Sequence, residues 1–351
     1  MKDTFYVQHK IIKKQPLLKE DGTLTEEGWS TKLLLEYDRS KIKAPWWRIK
    51  EWDYYYILDA EKNYGLTCTM ADMGYVGLFA VVWLDFKEKK YTQLEKLILL
   101  PRRKIGFASD SSSGITSFRS KKLSITYNYA LPTRKITISA PSFQCFDGEK
   151  GLEAEIELTQ AKDLESMVIA TSWKENRKAF YYNQKINCMP AKGTVSIGTK
   201  RYTFTPESSM GGFDWGRGRW TYKNRWYWGS ASGRLDNVPF GWNIGYGFSD
   251  RTPASENMIF YDGKAHKLDQ VTIQMDSSDY LKPWRFTSND DRFEMSFEPL
   301  VDRRSNVNFL FIKSIQHQVF GHCTGQVTLN DGTKLKVDKF LCLLEDFVNW
   351  G

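Results

Sequence analysis

The segment from residue 211 to residue 266 combines tryptophan, glycine and charged residues more densely than the rest of the chain. It reads G-G-F-D-W-G-R-G-R-W-T-Y, then R-W-Y-W-G-S-A-S-G, F-G-W-N-I-G-Y-G-F, S-E-N and D-G-K-A-H-K. Five of the thirteen tryptophans lie between residues 215 and 242. A hydrophobic core needs aromatic side chains but not charged neighbours, whereas the lining of a binding pocket uses both. The segment therefore predicts the position of the functional site.

Runs of aromatic and β-branched residues, typical of strands, dominate from about residue 48 onward. The clearest predicted strands are residues 52–60, 66–71, 75–86, 91–100, 123–129 and 135–139. Asp-Gly pairs at 262–263 and 331–332 predict tight turns between further strands. A helical period is found only over residues 158–167 and over the last ten residues. We therefore predict an all-β chain that is mostly antiparallel.

The sequence C-M-P-A-K-G at residues 188–193 separates two series of predicted strands. Proline and glycine favour a break at this point, and an alternating run, T-V-S-I-G-T-K-R-Y-T-F, follows it. A chain of 351 residues is longer than one typical domain. We predict two domains, residues 1–190 and 191–351, each the size of one β-barrel or sandwich.

The charge pattern argues against a nucleic-acid partner. The net charge is +8, from 50 basic and 42 acidic residues, but no run reaches the five or six like charges of a nucleic-acid arm. The longest charge-free apolar stretch, about residues 73–84, is too short to span a bilayer. The first fifteen residues lack the features of a secretory signal. Five widely spaced cysteines without C-x-x-C indicate free thiols, so we expect a cytoplasmic protein.

The sequence D-W-G-R-G places Asp214 and Arg217 among tryptophans. Burial in an aromatic pocket raises the pKa of a carboxyl group, which suits Asp214 to donate a proton. Arg217 would then hold that geometry or bind an anionic group of a ligand. In the alternative interpretation, the two residues form an ion pair that closes one end of a barrel.

Tryptophans and asparagines nearby are candidate ligand contacts. On a strand, Trp226 and Trp228 face the same side, and aromatic faces can stabilise a cationic intermediate. Asn243 shares a face with two glycines, which leaves room for a ligand or for a crossing backbone. The predicted ligand-binding residues, besides Arg217, are Trp220, Trp226, Trp228, Trp242, Asn243 and Asn257.

Two further residues are secondary catalytic candidates. Glu256 would supply a second carboxyl group for acid–base chemistry, and His266 would transfer protons. A surface glutamate and a histidine in a solvated turn are the alternatives. The four histidines lack metal-ligand spacing, so we predict no metal. Neither G-x-G-x-x-G nor a P-loop is present, so we predict no nucleotide cofactor.

The chain resembles a bacterial family known as domain of unknown function 2804, over nearly its whole length. The matching stretches are R-I-K-E-W-D-Y-Y (48–55), T-M-A-D-M-G-Y-V-G (69–77), N-C-M-P-A-K-G-T-V (187–195), D-W-G-R-G (214–218), S-E-N (255–257), D-G-K-A-H-K-L (262–268), L-K-P-W-R (281–285) and H-Q-V-F-G (317–321). The family name carries no activity.

A more distant resemblance links the run G-T-V-S-I-G-T-K-R-Y-T-F, then D-W-G and R-W-Y-W-G, to the carotenoid hydratase and Diels–Alderase-like superfamily. The resemblance implies two lipocalin-like antiparallel β-barrel domains packed together, with a ligand at or between them. In the hydratases, an aspartate just before Trp-Gly is the proposed acid, and Asp214 matches that position. The chain lacks the residues, a histidine among them, that the hydratases carry between this aspartate and the tryptophan.

Together these observations predict a protein that binds a small hydrophobic molecule, lipid-like or terpenoid-like. Acid-catalysed hydration, cyclisation or isomerisation is the reaction class if the chain is an enzyme, with Asp214 as donor. Two alternatives remain open. One is a non-catalytic lipid carrier or sensor, and the other is a protein-interaction scaffold that exposes Trp226 and Trp242. The sequence does not predict the oligomeric state.

Overall fold

The fold consists almost wholly of β-strands. The computed structural model describes residues 7–101, 105–309 and 312–351. In these ranges there are twenty-four strands, two short 3-10 helices (Arg39–Lys41 and Trp46–Arg48) and no α-helix. None of the helices in these ranges is long and apolar enough to cross a membrane. The strands are β1 Gln15–Pro16, β2 Gly28–Ser30, β3 Leu35–Glu36, β4 Ile49–Asp59, β5 Tyr64–Asp72, β6 Val76–Asp85, β7 Lys90–Leu99, β8 Ser113–Arg119, β9 Ser124–Ala130, β10 Thr133–Gln144, β11 Lys150–Thr159, β12 Met167–Trp173, β13 Asn176–Ile197, β14 Lys200–Phe204, β15 Ser209–Arg219, β16 Lys223–Leu235, β17 Val238–Tyr246, β18 Met258–Tyr261, β19 Lys264–Lys267, β20 Val271–Gln274, β21 Trp284–Ser288, β22 Phe293–Phe309, β23 Ile312–Thr328 and β24 Lys334–Trp350.

Two large curled sheets form the body of the molecule. The first runs in the order β7-β6-β5-β4-β15-β13-β11-β10-β9-β8, with β12 and β14 paired to β13 and with β2 paired to β12. The second runs in the order β19-β18-β17-β16-β24-β23-β22-β21-β20. Pairing within both sheets is antiparallel, and each sheet curls around its own apolar core. The predicted fold class, two lipocalin-like barrels packed together, is confirmed.

Burial patterns distinguish the outer strands from those between the sheets. In β11, Leu152, Ala154 and Ile156 are buried while the glutamates between them are exposed, as expected for a strand with one face in water. In β12 and β15 almost every residue is buried, because one face covers the core of the first sheet and the other faces the second sheet. Strands β4, β13 and β15 therefore supply much of the wall between the two halves.

A polar contact fixes how the two sheets meet. The side-chain amide of Asn187 in β13 donates toward the Ser230 hydroxyl at 2.8 Å and the Ala231 and Trp242 carbonyl oxygens at 3.0 and 3.1 Å. The Tyr56 hydroxyl of β4 lies 3.1 Å from the same amide nitrogen. Asn187 is 2% exposed, so these groups exchange hydrogen bonds without competition from water.

The sheets divide at residues 220–222, between β15 and β16. Position 190, where the sequence suggests a domain boundary, lies inside β13, and the first sheet continues through β14 and β15. The break in pattern at residues 188–193 is a bulge: the register of β13 against β15 shifts between Ile186 and Met189. Cys188 has a left-handed backbone with φ of 59°. A bulge produces the same sequence signal as a linker.

Most predicted strands and turns match the structure, and the two helical segments do not. The pairs Asp262-Gly263 and Asp331-Gly332 lie between β18 and β19 and between β23 and β24. Residues 158–167 end one strand and begin another, and the last ten residues except Gly351 belong to β24, so the helical prediction there is wrong. All five cysteines are free and buried, as expected.

The contact between the sheets gives a first prediction. Replacing Asn187 with alanine leaves buried carbonyl oxygens of β16 and β17 without a donor, and we expect the free energy of unfolding to fall by about 2 kcal/mol. Urea denaturation followed by fluorescence measures this change. Asn128→Ala, at an exposed position of β9, is the control and should change stability by less than about 0.5 kcal/mol. Equal losses in both variants would contradict a special role for the Asn187 contact.

Candidate functional site

A cavity of about 360 Å³ lies between the two sheets. Strands β4–β7, β13 and β15 of the first sheet and β16 and β22–β24 of the second contribute to its wall. Its volume falls in the range of small-molecule sites. The lining side chains are mostly apolar or aromatic, with a polar minority comprising Thr69, Glu95, Lys185, Asp214, Glu256, Arg303, Ser305, Ser314, Gln316, Gln318, Glu345 and Asn349.

Aromatic side chains pack edge to face along one wall of the cavity. The Trp220 ring lies 5.2 Å from that of Trp52 and 5.8 Å from that of Trp226. The Trp226 ring in turn stacks on Phe347 at 4.2 Å. A side chain at Gly216 would overlap the Trp52 indole, because an added Cβ would lie 1.9 Å from it, so only glycine permits this position. The wall is therefore rigid and apolar.

An ion pair lies within this aromatic surrounding. The Lys185 ammonium is 2.6 Å from the Asp214 carboxylate, and both side chains are nearly buried. The Asn183 amide donates to the other Asp214 oxygen at 2.8 Å. The ammonium also lies 4.3 Å from the centre of the Trp228 ring, within cation–π distance. Asp214 is therefore fixed by two groups of β13, the strand that pairs with its own.

Glu345 of β24 is a second carboxyl group of the cavity. Burial raises its pKa to about 7, and hydrogen bonds from Gln316 and Trp226 and the charge of Lys185 lower it in part. Near neutral pH this carboxyl group is therefore divided between its protonated and charged forms. Its other near neighbour, Arg303, is hydrogen-bonded to Gln316 at 2.8 Å and paired with Glu95 at 3.1 Å.

Glu256 is the third carboxyl group. Burial raises its pKa, while the charge of Lys185 and a hydrogen bond from Asn243 lower it. The Asn243 amide donates to the Glu256 carbonyl oxygen at 2.8 Å and accepts from the Trp228 indole at 2.7 Å. An added Cβ at Gly245 would lie 2.5 Å from the Glu256 carboxyl group, so this glycine makes room for it.

Tyr181 lies among the same charged groups. Burial raises the pKa of its hydroxyl group well above the usual value, and the negative charges of Glu256, Asp214 and Glu345 raise it further. The hydroxyl group stays protonated and remains a hydrogen-bond donor at the cavity wall. The Tyr181 ring stacks on Trp52 at 6.2 Å.

The model of the family described as "Domain of unknown function (DUF2804)" matches residues 8–350. The chain belongs to the DUF2804 family. No curated protein sequence matches it significantly.

Among solved structures, the DUF2804 chain is similar in fold to CghA, solved with Sch210972. The two share 10% sequence identity and a TM-score of 0.53, over 86% of this chain and 88% of CghA. It is also similar to kievitone hydratase from Nectria haematococca, with 12% identity and a TM-score of 0.51 over 86% and 89% of the two chains. At these identities the similarity shows a shared double-lipocalin-like fold.

Five residues predicted from the sequence of this DUF2804 protein line the cavity: Asp214, Trp220, Trp226, Trp228 and Glu256. Asn243 is fully buried behind it and links Trp228 to Glu256. Asn257 lies outside the lining. Its side-chain oxygen accepts a hydrogen bond from the Gly245 N–H at 2.9 Å, and its side-chain nitrogen donates to the Asp269 carbonyl oxygen at 2.7 Å.

The predicted ion pair between Asp214 and Arg217 is wrong. Arg217 points to the opposite face of β15 and is paired with Asp53 at 3.0 Å inside the first sheet. Its guanidinium also donates to the Ala108 carbonyl oxygen and lies 4.2 Å from the centre of the Trp215 ring. Residues three apart on a strand face opposite sides, so Arg217 is a core residue rather than a ligand contact.

Trp242 and His266 also lie away from the cavity lining. Trp242 is 1% exposed and packs against Phe293 and Phe340 in the core of the second sheet. His266 lies on β19, where its ring accepts a hydrogen bond from the Asn330 backbone at 3.1 Å, and burial lowers its pKa. In the described ranges, no group of three His, Cys, Asp or Glu side chains is arranged to hold a metal ion.

Four residues of the cavity were not predicted from the sequence: Lys185, Glu345, Tyr181 and Arg303. A signal for Lys185 exists, because Asn183, Lys185 and Asn187 are polar at alternate positions of a strand that is otherwise largely apolar. Glu345 interrupts the apolar run L-C-L-L in the same way. Neither pattern shows that Lys185 and Glu345, which belong to different sheets, line the same cavity.

The Lys185–Asp214 pair gives a second prediction. Lys185→Met leaves the Asp214 charge buried without its partner, and we expect the free energy of unfolding to fall by about 3 kcal/mol. The double variant Lys185→Met/Asp214→Leu removes both charges and should recover most of that loss. The control Lys192→Met lies on the same strand as Lys185 and breaks a more exposed pair with Glu157 of β11. It should lower the free energy of unfolding by less than about 1 kcal/mol. Denaturant titration of the unmodified chain and the three variants measures these changes, and a double variant as unstable as Lys185→Met would contradict the prediction.

Proposed function

We propose that the cavity between the sheets binds a small, largely apolar molecule with one polar group, and that its carboxyl groups act on that molecule as acid and base. The observation that supports this most directly is the cluster of Lys185, Asp214, Glu256 and Glu345 inside an aromatic cavity. Burying charged groups lowers stability unless each is paired, and an apolar filling would stabilise the fold better. A cluster of buried charged groups that lowers the stability of the fold is typical of a functional site.

The contacts assign different roles to the carboxyl groups. As the carboxylate of an ion pair with Lys185, Asp214 has no proton to donate, so it is suited to stabilise positive charge or to accept a proton. Glu345, whose pKa is raised to about 7, is the better proton donor at neutral pH. Protonation of an alkene or carbonyl group of the ligand would create a cation that the faces of Trp226 and Trp228 stabilise. Loss of a proton to the carboxylate completes an isomerisation or cyclisation. In a hydration, water adds to the cation and its extra proton returns to the carboxylate. The name of kievitone hydratase is in keeping with this class.

A non-catalytic carrier is the second proposal. The Lys185–Asp214 ion pair favours it. Because the two charges compensate each other, a ligand needs no charged group and can bind with a single hydrogen bond. A scaffold with exposed tryptophans has little support, since Trp242 is buried and Trp226 is packed against Phe347.

Native mass spectrometry of the purified protein, followed by denaturing extraction, tests ligand binding. We expect a retained small apolar molecule in the unmodified chain and its loss in Ala71→Phe, which fills the cavity from β5. Ala130→Phe, at an exposed position of β9, is the matched control. A thermal melt of each variant confirms folding. An unmodified chain that carries no molecule and gains no stability from lipid and terpenoid compounds would refute the proposal.

Glu345 gives a prediction that needs no ligand. Its pKa is near 7 when folded and about 4.5 when unfolded, so the native chain holds the proton more tightly. The resulting stability is fully present below the unfolded pKa and is lost as the pH rises through about 7. Relative to Glu345→Gln, the unmodified chain should lose about 3 kcal/mol over this range. Chemical denaturation at a series of pH values measures the difference, with Glu155→Gln on the exposed face of β11 as control. Parallel curves for the unmodified chain and Glu345→Gln would show that Glu345 is not the proton-holding group.

A further inference from the structure

The cavity is bordered by leucines that remain exposed to water. Leu97 and Leu99 of β7 line the cavity and are 44% and 84% exposed. Leu100 follows them, is 45% exposed, and donates its backbone N–H to the Tyr75 carbonyl oxygen at 3.0 Å. Tyr75 is itself a lining residue. The apolar cavity wall therefore continues onto the outer surface.

Aromatic residues of the second sheet continue this border. The Tyr75 hydroxyl lies against Gly351, and the Gly351 N–H donates to the Tyr222 carbonyl oxygen at 2.9 Å. Tyr222 is 37% exposed, and Trp350 precedes Gly351 at the end of β24. We call Leu97, Leu99, Leu100, Tyr222 and Trp350 the rim.

Two lysines flank the tryptophan of the rim. Trp350 pairs with Lys223 of β16 on one side and with Lys313 of β23 on the other. Their ammonium groups lie 4.7 and 4.8 Å from the centre of the indole ring. Trp350, Lys223 and Lys313 project from the face of the second sheet opposite to the one that lines the cavity, and the end of β24 connects them to the leucines through Gly351 and Tyr75. Tryptophan, tyrosine and lysine at one edge of a fold with exposed leucines are the combination found at membrane–water interfaces.

Exposed large apolar residues elsewhere in the described ranges are scattered. The residues outside the rim, none of which lines the cavity, are Val7, Ile12, Ile115, Leu131 and Leu281, and also Trp47, whose backbone lies beside Gly74. Single exposed apolar residues are ordinary, whereas a contiguous group beside a cavity marks an interaction surface. The rim is also too small for a stable protein interface, which needs about 20 to 30 residues on each partner.

We propose that the rim docks on an anionic membrane surface and so opens the cavity toward the lipid phase. The leucines would enter the boundary between headgroups and acyl chains, and Lys223 and Lys313 would contact anionic headgroups. The net charge of +8 has the sign that such a surface attracts. The inference goes beyond the proposed function, because docking depends on the rim and not on the chemistry of Lys185 or Glu345.

Vesicle co-sedimentation with the full chain tests the proposal. We expect binding to vesicles of phosphatidylcholine with phosphatidylserine, little binding to phosphatidylcholine alone, and a decrease as salt is raised. Leu99→Asp should weaken the binding about tenfold through the loss of apolar burial. Lys223→Gln should weaken it about fivefold. Ile12→Asp places the same charge at a residue that is 72% exposed outside the rim and should have little effect.

Docking would be overturned if the chain did not bind anionic vesicles, or if Leu99→Asp bound them as well as the unmodified chain. It would also be overturned if light scattering showed a dimer that Leu99→Asp abolishes, because the rim would then be an interface between copies of the chain. Leu100→Asp changes an exposed rim residue that does not line the cavity. If it retains a co-purified molecule but fails to bind vesicles, docking is separated from ligand binding. Circular dichroism of each variant shows whether it is folded.

Discussion

The side-chain amide of Asn187 holds the two sheets in their relative position, and the geometry of the cavity follows from it. Asn187 precedes the left-handed residue Cys188 at the bulge of β13, and the bulge turns this strand toward β16 and β17 of the second sheet. The Cys188 backbone N–H adds a hydrogen bond to Ser232 at 2.9 Å. Two residues earlier on the same face of β13, Lys185 projects into the cavity. One irregularity of one strand thus sets both the contact between the sheets and the position of the cavity's ion pair.

Lys185 is the positive charge on which the carboxyl groups of the cavity depend. It is in contact with Asp214, and its charge opposes the rise in pKa that burial causes in both Glu256 and Glu345. One ammonium cannot neutralise three carboxylates in an apolar cavity, so burial leaves the two glutamates with raised pKa values. The site therefore combines an ion-paired carboxylate with a carboxyl group, Glu345, that is partly protonated near neutral pH because burial raises its pKa to about 7. Such a division between neighbouring carboxyl groups is what acid–base chemistry requires.

Local pattern was sufficient to predict an all-β chain and part of the site, because strands and tight turns are encoded by neighbouring residues. The two lipocalin-like barrels were predicted from the resemblance to the hydratase and Diels–Alderase-like superfamily. The density of tryptophans beside polar residues located Asp214, Trp220, Trp226, Trp228 and Glu256 at the cavity. Strand geometry alone also contradicts the Asp214–Arg217 pair, since positions 214 and 217 differ by an odd number. Lys185 and Glu345 were not predictable in this way, because β13 and β24 belong to different sheets and their approach depends on tertiary packing. Trp242 has the surroundings of a pocket residue in sequence, but its strand face is decided by the core of the second sheet.

A continuous series of hydrogen bonds links Glu345 in the cavity to its exposed border. Glu345 is bonded to Gln316, Gln316 to Arg303, and Arg303 to Glu95 of β7. Glu95 lies on the same face of β7 as Leu97 and Leu99. The series crosses from the second sheet to the edge strand of the first, so the bonds that position the Glu345 carboxyl group also fix Arg303 against β7, two residues from Leu97. Polar groups therefore extend from Glu345 to the strand that carries the exposed leucines, and the cavity presents an apolar and a polar side along its length.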